Sequence, residues 1–126
     1  MDAVEAALLG AGLVVYTGGV PTDSGWSPPD KYAVVYPDPG MAESESLADE
    51  RTNLVGTFQV TCVGASVERC LWVAAKVRQA LNVQLTVAGR SGWRPEDRGG
   101  PPVQRDDDTN PPSYFIPVEY RIKSTA

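Results

Sequence analysis

Few side chains in this sequence are suited to catalysis. The 126-residue chain contains no histidine, which removes the commonest general base, the commonest neutral metal ligand and the usual partner of a serine or cysteine nucleophile. Its glycine pairs, Gly18-Gly19 and Gly99-Gly100, lack the lysine and the strand-to-helix context of a phosphate-binding loop. We therefore expect a protein that is not an enzyme and that uses no cofactor.

The run Asp106-Asp107-Asp108 is the one cluster that could hold a hard cation, because neighbouring carboxylates supply oxygen ligands. It lacks the alternating spacing and the glycine of a calcium-binding loop. Two interpretations remain: a solvated acidic turn, which we favour, and a metal-dependent hydrolase that uses these carboxylates. We predict no metal site.

The two cysteines, Cys62 and Cys70, lie at positions that we expect to face the core of the protein. Buried cysteines in a reducing compartment usually act as small hydrophobic residues. We favour that interpretation over a disulfide or a metal-binding pair.

Two stretches of opposite charge are candidate interaction surfaces. The acidic stretch contains Glu43, Glu45, Asp49 and Glu50, and the second stretch contains Arg90, Arg94 and Arg98. Solvation alone explains the acidic stretch best, with contact to a basic partner as the alternative. Acidic residues near the arginines cancel much of their field, so a protein interface suits that stretch better than a phosphate-binding groove.

The net charge of -5 argues against a protein whose main role is to bind nucleic-acid phosphates, because that affinity requires an excess of Lys and Arg. No apolar run approaches the length of a membrane-spanning helix, and the N-terminus has Asp2 and Glu5 in place of a basic signal start. We expect a protein of the cytoplasm that does not bind membranes.

The elements that must position these side chains are clearest between Thr57 and Leu81. Phe58, Val60 and Cys62 alternate with polar residues, which predicts a half-buried strand. A helix should follow, with Ser66 as its N-cap and Asn82 at its end. Its predicted buried stripe consists of Val67, Cys70, Leu71, Ala74, Val77 and Leu81. Trp72 lies off this stripe near Arg69 and Lys76, so it is either a partly exposed packing residue or an interface anchor.

The rest of the chain supplies shorter elements and long connections. We predict a short helix at residues 2–9, strands at 13–16, 32–36, 53–63, 83–88 and 114–122, and long loops at about 21–30, 37–52 and 89–112. Trp26 should anchor the first loop, and Pro117 marks the last strand as an edge or bulged strand. Residues 1–126 should form a single α+β domain, with a mainly antiparallel sheet of about four to six strands, one long helix and a short N-terminal helix.

The order of these features carries a family resemblance. In chain order they are the N-terminal helix, Val15-Tyr16 before a glycine turn, Tyr32–Pro37, Phe58–Gly64, the helix that contains Trp72 and ends at Leu81, the Asp-rich turn, and the strand Tyr114–Ile122. This pattern resembles the tail terminator, or tail completion, proteins of long-tailed bacteriophages. The resemblance implies a subunit that closes into a ring, usually a hexamer, on the head-proximal end of the tail tube.

On this resemblance, the protein is expected in the virion tail, after assembly in the host cytoplasm, with DNA only passing through the ring. Its partners would be copies of itself, the tail tube protein and a head completion or connector protein. The acidic and arginine-bearing stretches and Trp72 are candidates for the subunit or tube interface, and Asp106–Asp108 for the inner wall. A head-to-tail connector or minor tail component is the alternative.

Overall fold

The computed structural model describes residues 2–22, 25–37, 53–82, 95–108 and 112–125. In this part of the chain, two helices and six strands form an α+β fold, which confirms the predicted class. The elements are α1 (Asp2–Gly10), β1 (Val15–Thr17), β2 (Lys31–Pro37), β3 (Asn53–Gly64), α2 (Val67–Leu81), β4 (Glu96–Asp97), β5 (Gln104–Asp106) and β6 (Ser113–Thr125). The predicted strand at 83–88 lies outside the described residues. So do residues 38–52 of one predicted loop. The loop predicted at 89–112 is described at 95–108 and 112, and it contains the short strands β4 and β5, which form by pairing with β6.

All six strands belong to one sheet, in the order β1-β2-β3-β6-β4, with β5 pairing a different part of β6. Strands β1 and β2 are parallel, and every other pair is antiparallel. The longest ladder joins β3 and β6, from Asn53 opposite Thr125 to Gly64 opposite Tyr114. These two strands are therefore the centre of the sheet.

Both helices pack on one face of the sheet, which we call the helix face. Their buried side chains, such as Leu8 of α1 and Val77 of α2, share a core with Val35, Val60 and Val118 of the sheet. Alternation along the strands places the main core on this face, as the period-two pattern predicted.

The start of α2 follows the prediction, but its buried face does not. Ser66 is the N-cap, and its hydroxyl accepts a hydrogen bond from the Arg69 amide at 3.2 Å. The predicted core residues Val67 and Leu71 are 43% and 49% exposed, whereas Val73, which the prediction left out, is fully buried.

The buried residues of α2 are Cys70, Val73, Val77 and Leu81. Successive residues of a helix are rotated by about 100°, so the side of α2 that carries these four residues lies well away from the side that carries Leu71. Helix α1 packs beside α2 and widens the buried sector, and the periodicity of α2 alone contains no information about that neighbour. The predicted stripe was therefore rotated from the true one.

Gly64 allows β3 to pass directly under the first turn of α2. A Cβ atom at this position would lie 2.3 Å from the backbone nitrogen of Cys70, which is far inside van der Waals contact. The Cys70 thiol donates to the Cys62 carbonyl at 3.3 Å across the same junction. The strand-glycine-helix unit is thus held by a close approach that only glycine permits.

Strand β6 is not the edge strand that Pro117 predicted, since it pairs with β3 on one side and with β4 and β5 on the other. Pro117 falls between the β4 and β5 ladders. Next to it, a Cβ atom on Gly100 would lie 2.1 Å from the Pro117 carbonyl oxygen. The proline is tolerated because no strand needs its missing N–H in this interval.

Trp26 anchors the loop before β2, as predicted, on the sheet face opposite the helices, which we call the open face. Its ring meets Tyr16 and Tyr32 edge to face, with centroids 5.9 and 6.3 Å away, and its indole N–H donates to the Tyr16 hydroxyl at 3.4 Å. Tyr32, Val34 and Val63 form the small buried cluster beneath. The open face is thus covered only in part.

Candidate assembly surfaces

The outer side of α2 presents Trp72 between two lysines, a group that we call the lysine-indole cluster (Lys31, Trp72, Lys76). The Nζ atom of Lys31 lies 4.0 Å from the centroid of the indole, and that of Lys76 lies 5.4 Å away. Both distances fall within the range of cation-π attraction. Trp72 remains 40% exposed, and Lys31 and Lys76 are partly exposed beside it.

The sequence predicted half of this arrangement. Lys76 contacts the indole from the next helical turn, as expected, but Arg69 turns away and pairs with Asp30 at 2.8 Å. The second cation is Lys31, at the first position of β2. The contact between β2 and α2 joins residues far apart in sequence, and no local pattern around Lys31 indicates it.

The arginine-bearing stretch is represented in the described residues by Arg98 alone, because Arg90 and Arg94 lie outside them. Arg98 is 3.6 Å from Glu96. Two more arginines near it in space or sequence are paired as well, Arg78 with Asp97 at 2.9 Å and Arg105 with Asp107 at 2.6 Å. This mixed charge agrees with the expectation that local acids cancel much of the arginine field.

The Asp106–Asp108 run forms the local turn that the sequence favoured. Asp106 ends β5, and its Oδ1 accepts a hydrogen bond from the Asp108 amide at 3.0 Å, while Asp107 pairs with Arg105. In the ranges that the structure describes, no three Cys, Asp or Glu side chains come together as a metal site would require. Asp106 and Asp107 therefore each make a contact within the turn.

The acidic stretch Glu43, Glu45, Asp49 and Glu50 lies outside the described residues, so its role as an interface stays a prediction. The described carboxylates of the open face include Asp106 and Glu119. Asp106 lines a cavity of about 220 Å³ together with Tyr32, Tyr36 and Phe115. Glu119 lies opposite Gln59 of β3, which in turn faces Tyr36 of β2. This row gives the uncovered part of the open face a polar surface.

The two thiols are free and fully buried, which confirms the prediction for Cys62 and Cys70. Burial, with a smaller effect from Cys70, raises the pKa of Cys62 to about 12, and burial raises the pKa of Cys70 to about 11. Because the thiolate is the reactive species, neither cysteine is suited to nucleophilic or redox chemistry at neutral pH.

Helices of the type that crosses a bilayer do not occur in the described part of the chain. Helix α2, with 15 residues, carries charged side chains along its outer side.

Comparison with known proteins identifies the fold. No protein-family model and no curated protein matches the sequence. A solved structure from the virion of a native gene transfer agent particle matches with a TM-score of 0.58 and 14% identity, over 99% of this chain and 93% of that one. A second solved structure, known only by a sequence identifier, matches with a TM-score of 0.55 and 20% identity, over 99% and 95%. The chain thus shares its whole fold with a component of a virion particle.

Proposed function

We propose that this protein is a tail terminator of a phage-type particle, which forms a ring on the head-proximal end of the tail tube. The observation that carries the proposal is the fold match over nearly the full length of both chains with a gene transfer agent virion component. At 14% identity that match supports the fold alone. The terminator role is inferred from the order of sequence features described above. The two lines of evidence are independent, and both point to a structural protein of a virion.

A ring requires two different patches on each subunit that fit each other. The described surface offers such unlike patches. One side of α2 carries the lysine-indole cluster, and another presents the exposed apolar side chains Val67 and Leu71. These surfaces lie on a rigid strand-helix unit, which suits a subunit that must repeat one geometry several times.

The ring would surround a channel through which DNA passes. Six copies of a chain with a net charge of -5 would create a negative field that keeps phosphates from sticking to the wall. We expect Asp and Glu to outnumber Lys and Arg on the inner wall, with Asp106–Asp108 as candidates. A ring structure with a basic inner wall would contradict this.

A head-to-tail connector, or a minor tail component, is the second candidate. A small non-enzymatic subunit with a mixed-charge surface serves either role, since both must self-associate and contact a neighbouring ring.

Electron microscopy of particles assembled with and without this protein separates the two roles. Without a terminator, tail tubes grow past their normal length, and adding back the wild-type protein should restore a single tail length. Without a connector, tails of normal length would accumulate detached from heads. The latter result would overturn the terminator proposal.

A folding-defective variant is the control for that experiment. Gly64→Leu places a side chain where even a Cβ atom would lie 2.3 Å from the Cys70 nitrogen, so it should reproduce the loss of the protein. Glu119→Gln, an exposed polar change on the open face, should restore tail length as the wild type does.

A further inference from the structure

We propose that the lysine-indole cluster is the docking site for a carboxylate-rich segment of a second copy of this chain. The inference rests on the proposed ring, and it assigns one of the two complementary patches that such a ring needs. The partner segment is identified by its chemistry, which is several carboxylates within a short stretch of sequence.

The geometry of the cluster suits an anionic partner. Two ammonium groups lie 4.0 and 5.4 Å from one ring centroid, so both positive charges belong to one small patch. Like charges on one patch repel each other, and carboxylates of a partner placed beside them would relieve that repulsion. The indole holds both lysine side chains in place before the partner arrives, which lowers the entropy lost on binding.

No carboxylate within the described ranges fills this role. The nearest one in sequence, Asp30, is engaged 2.8 Å from Arg69, and neither Lys31 nor Lys76 has an ion pair with another described residue. By contrast, four of the five described arginines, Arg69, Arg78, Arg98 and Arg105, have an acidic partner in the same chain. The two lysines are therefore the cations of this region that the described fold leaves for a partner.

A second copy of the chain is the occupant that the charges favour. The chain has 16 acidic and 11 basic residues, and the eight-residue stretch with the most carboxylates is the one that contains Glu43, Glu45, Asp49 and Glu50. Pairing this stretch with the lysines of a neighbour gives a head-to-tail contact, which is the type that closes a ring. An exposed Trp at the centre of such a contact is a typical binding hot spot.

Charge reversal at the cluster tests the proposal. Lys31→Glu/Lys76→Glu in the full-length chain should weaken self-association at least about tenfold in sedimentation equilibrium, because close charge pairs across interfaces are coupled by more than the 1.4 kcal/mol that a factor of ten represents. Glu43→Lys/Glu45→Lys in the same chain should restore association by exchanging the charges. Arg121→Glu, one exposed charge reversal on the open face, is the matched control and should associate as the wild type does.

Each outcome decides a different point. A wild-type chain that stays monomeric at every concentration, with and without tail tubes, overturns the ring and this inference together. If the wild type forms rings and the double lysine variant forms them equally well, the inference is overturned and the proposed ring is not. The wild type could instead bind duplex DNA, and the lysine variant could lose that binding while self-association stays unchanged. This result would assign the cluster to phosphate binding and would also overturn the inference.

Discussion

The two faces of the sheet are packed in different ways. The helix face holds a continuous core that extends from α1 and α2 through the sheet, including Leu8, Leu81, Val60 and Val118. The open face holds three buried residues, Tyr32, Val34 and Val63, and three partly buried aromatic side chains pack against them. The loop around Trp26 covers part of this cluster. The helix face is thus closed by regular elements, and the open face by one anchored loop.

This difference indicates where the stability of the fold comes from. Stability should come mainly from the helix face, because buried aliphatic area contributes most of the favourable free energy. The open face has room for contacts with other molecules at a small cost in stability. The following variants test this division.

Leu81→Ala should cause the largest loss. Leu81 is 1% exposed at the end of α2, and such a truncation removes buried contacts and leaves a cavity, which costs about 2 to 5 kcal/mol of unfolding free energy. Chemical denaturation measures this loss. Leu71→Ala is the matched control, and as an exposed change it should stay within about 0.5 kcal/mol. Equal losses in the two variants would mean that α2 is rotated from the position described.

Gly64→Ala should come next, with a loss of about 1 to 3 kcal/mol. The added methyl group would meet the backbone of Cys70 at 2.3 Å and that of Arg69 at 2.6 Å, and backbone cannot move aside as a side-chain tip can. The melting temperature reports the effect. Gly25→Ala, where the methyl group meets nothing within 4 Å, should melt close to the wild type. An unchanged melting temperature for Gly64→Ala would contradict the close strand-helix junction.

Trp26→Ala should lower the unfolding free energy by about 1 to 2 kcal/mol, since the half-buried indole loses two edge-to-face contacts of about 0.5 to 1.5 kcal/mol each. Trp26→Phe retains part of this packing and should lie between the alanine variant and the wild type. Near-ultraviolet circular dichroism should change in both variants. A loss as large as that of Leu81→Ala would show that the open face carries as much stability as the helix face.

High pH should weaken the helix face gradually. Cys62 has a pKa raised from 9.0 to about 12, mainly by burial, so the native state keeps its proton after the unfolded chain has lost it. Stability from this group is complete below pH 9 and falls as pH rises toward 12, by about 1.4 kcal/mol per pH unit at most for one thiol. Denaturation midpoints at pH 8, 9 and 10 measure the slope. Cys62→Ala should flatten it, and an unchanged slope in that variant would exclude this thiol as the cause.

The sequence predicted the local features of the fold well. Alternation in β3 and β6, the Ser66 cap and the Trp26 anchor all depend on neighbouring residues, and each is confirmed. The rotation of α2 depends on α1, and the internal position of β6 depends on β4 and β5. These relations join distant parts of the chain, so periodicity placed Leu71 in the core, and Pro117 placed β6 at an edge, both wrongly.

For the candidate surfaces too, the sequence predicted local relations and missed relations between distant residues. Trp72 was identified because its departure from the apolar stripe is visible in the helix itself. Lys31 was missed because it meets the indole only after β2 and α2 have packed. The arginines and carboxylates of the two charged stretches were identified by composition, and their interface role stays a prediction.

The β3–β6 ladder also has a consequence for how the chain folds. Its partners are about 50 to 70 positions apart in sequence, so the loop between them must close before the pairing yields any stabilisation. Such long-range pairing is typical of domains that fold in milliseconds to seconds. Until β6 arrives, β3 exposes a free hydrogen-bonding edge along its 12 residues, and an unpaired edge of this kind can accept a strand from another chain. Where many copies are synthesised together, strand exchange at β3 is therefore the misfolding route with which correct assembly competes.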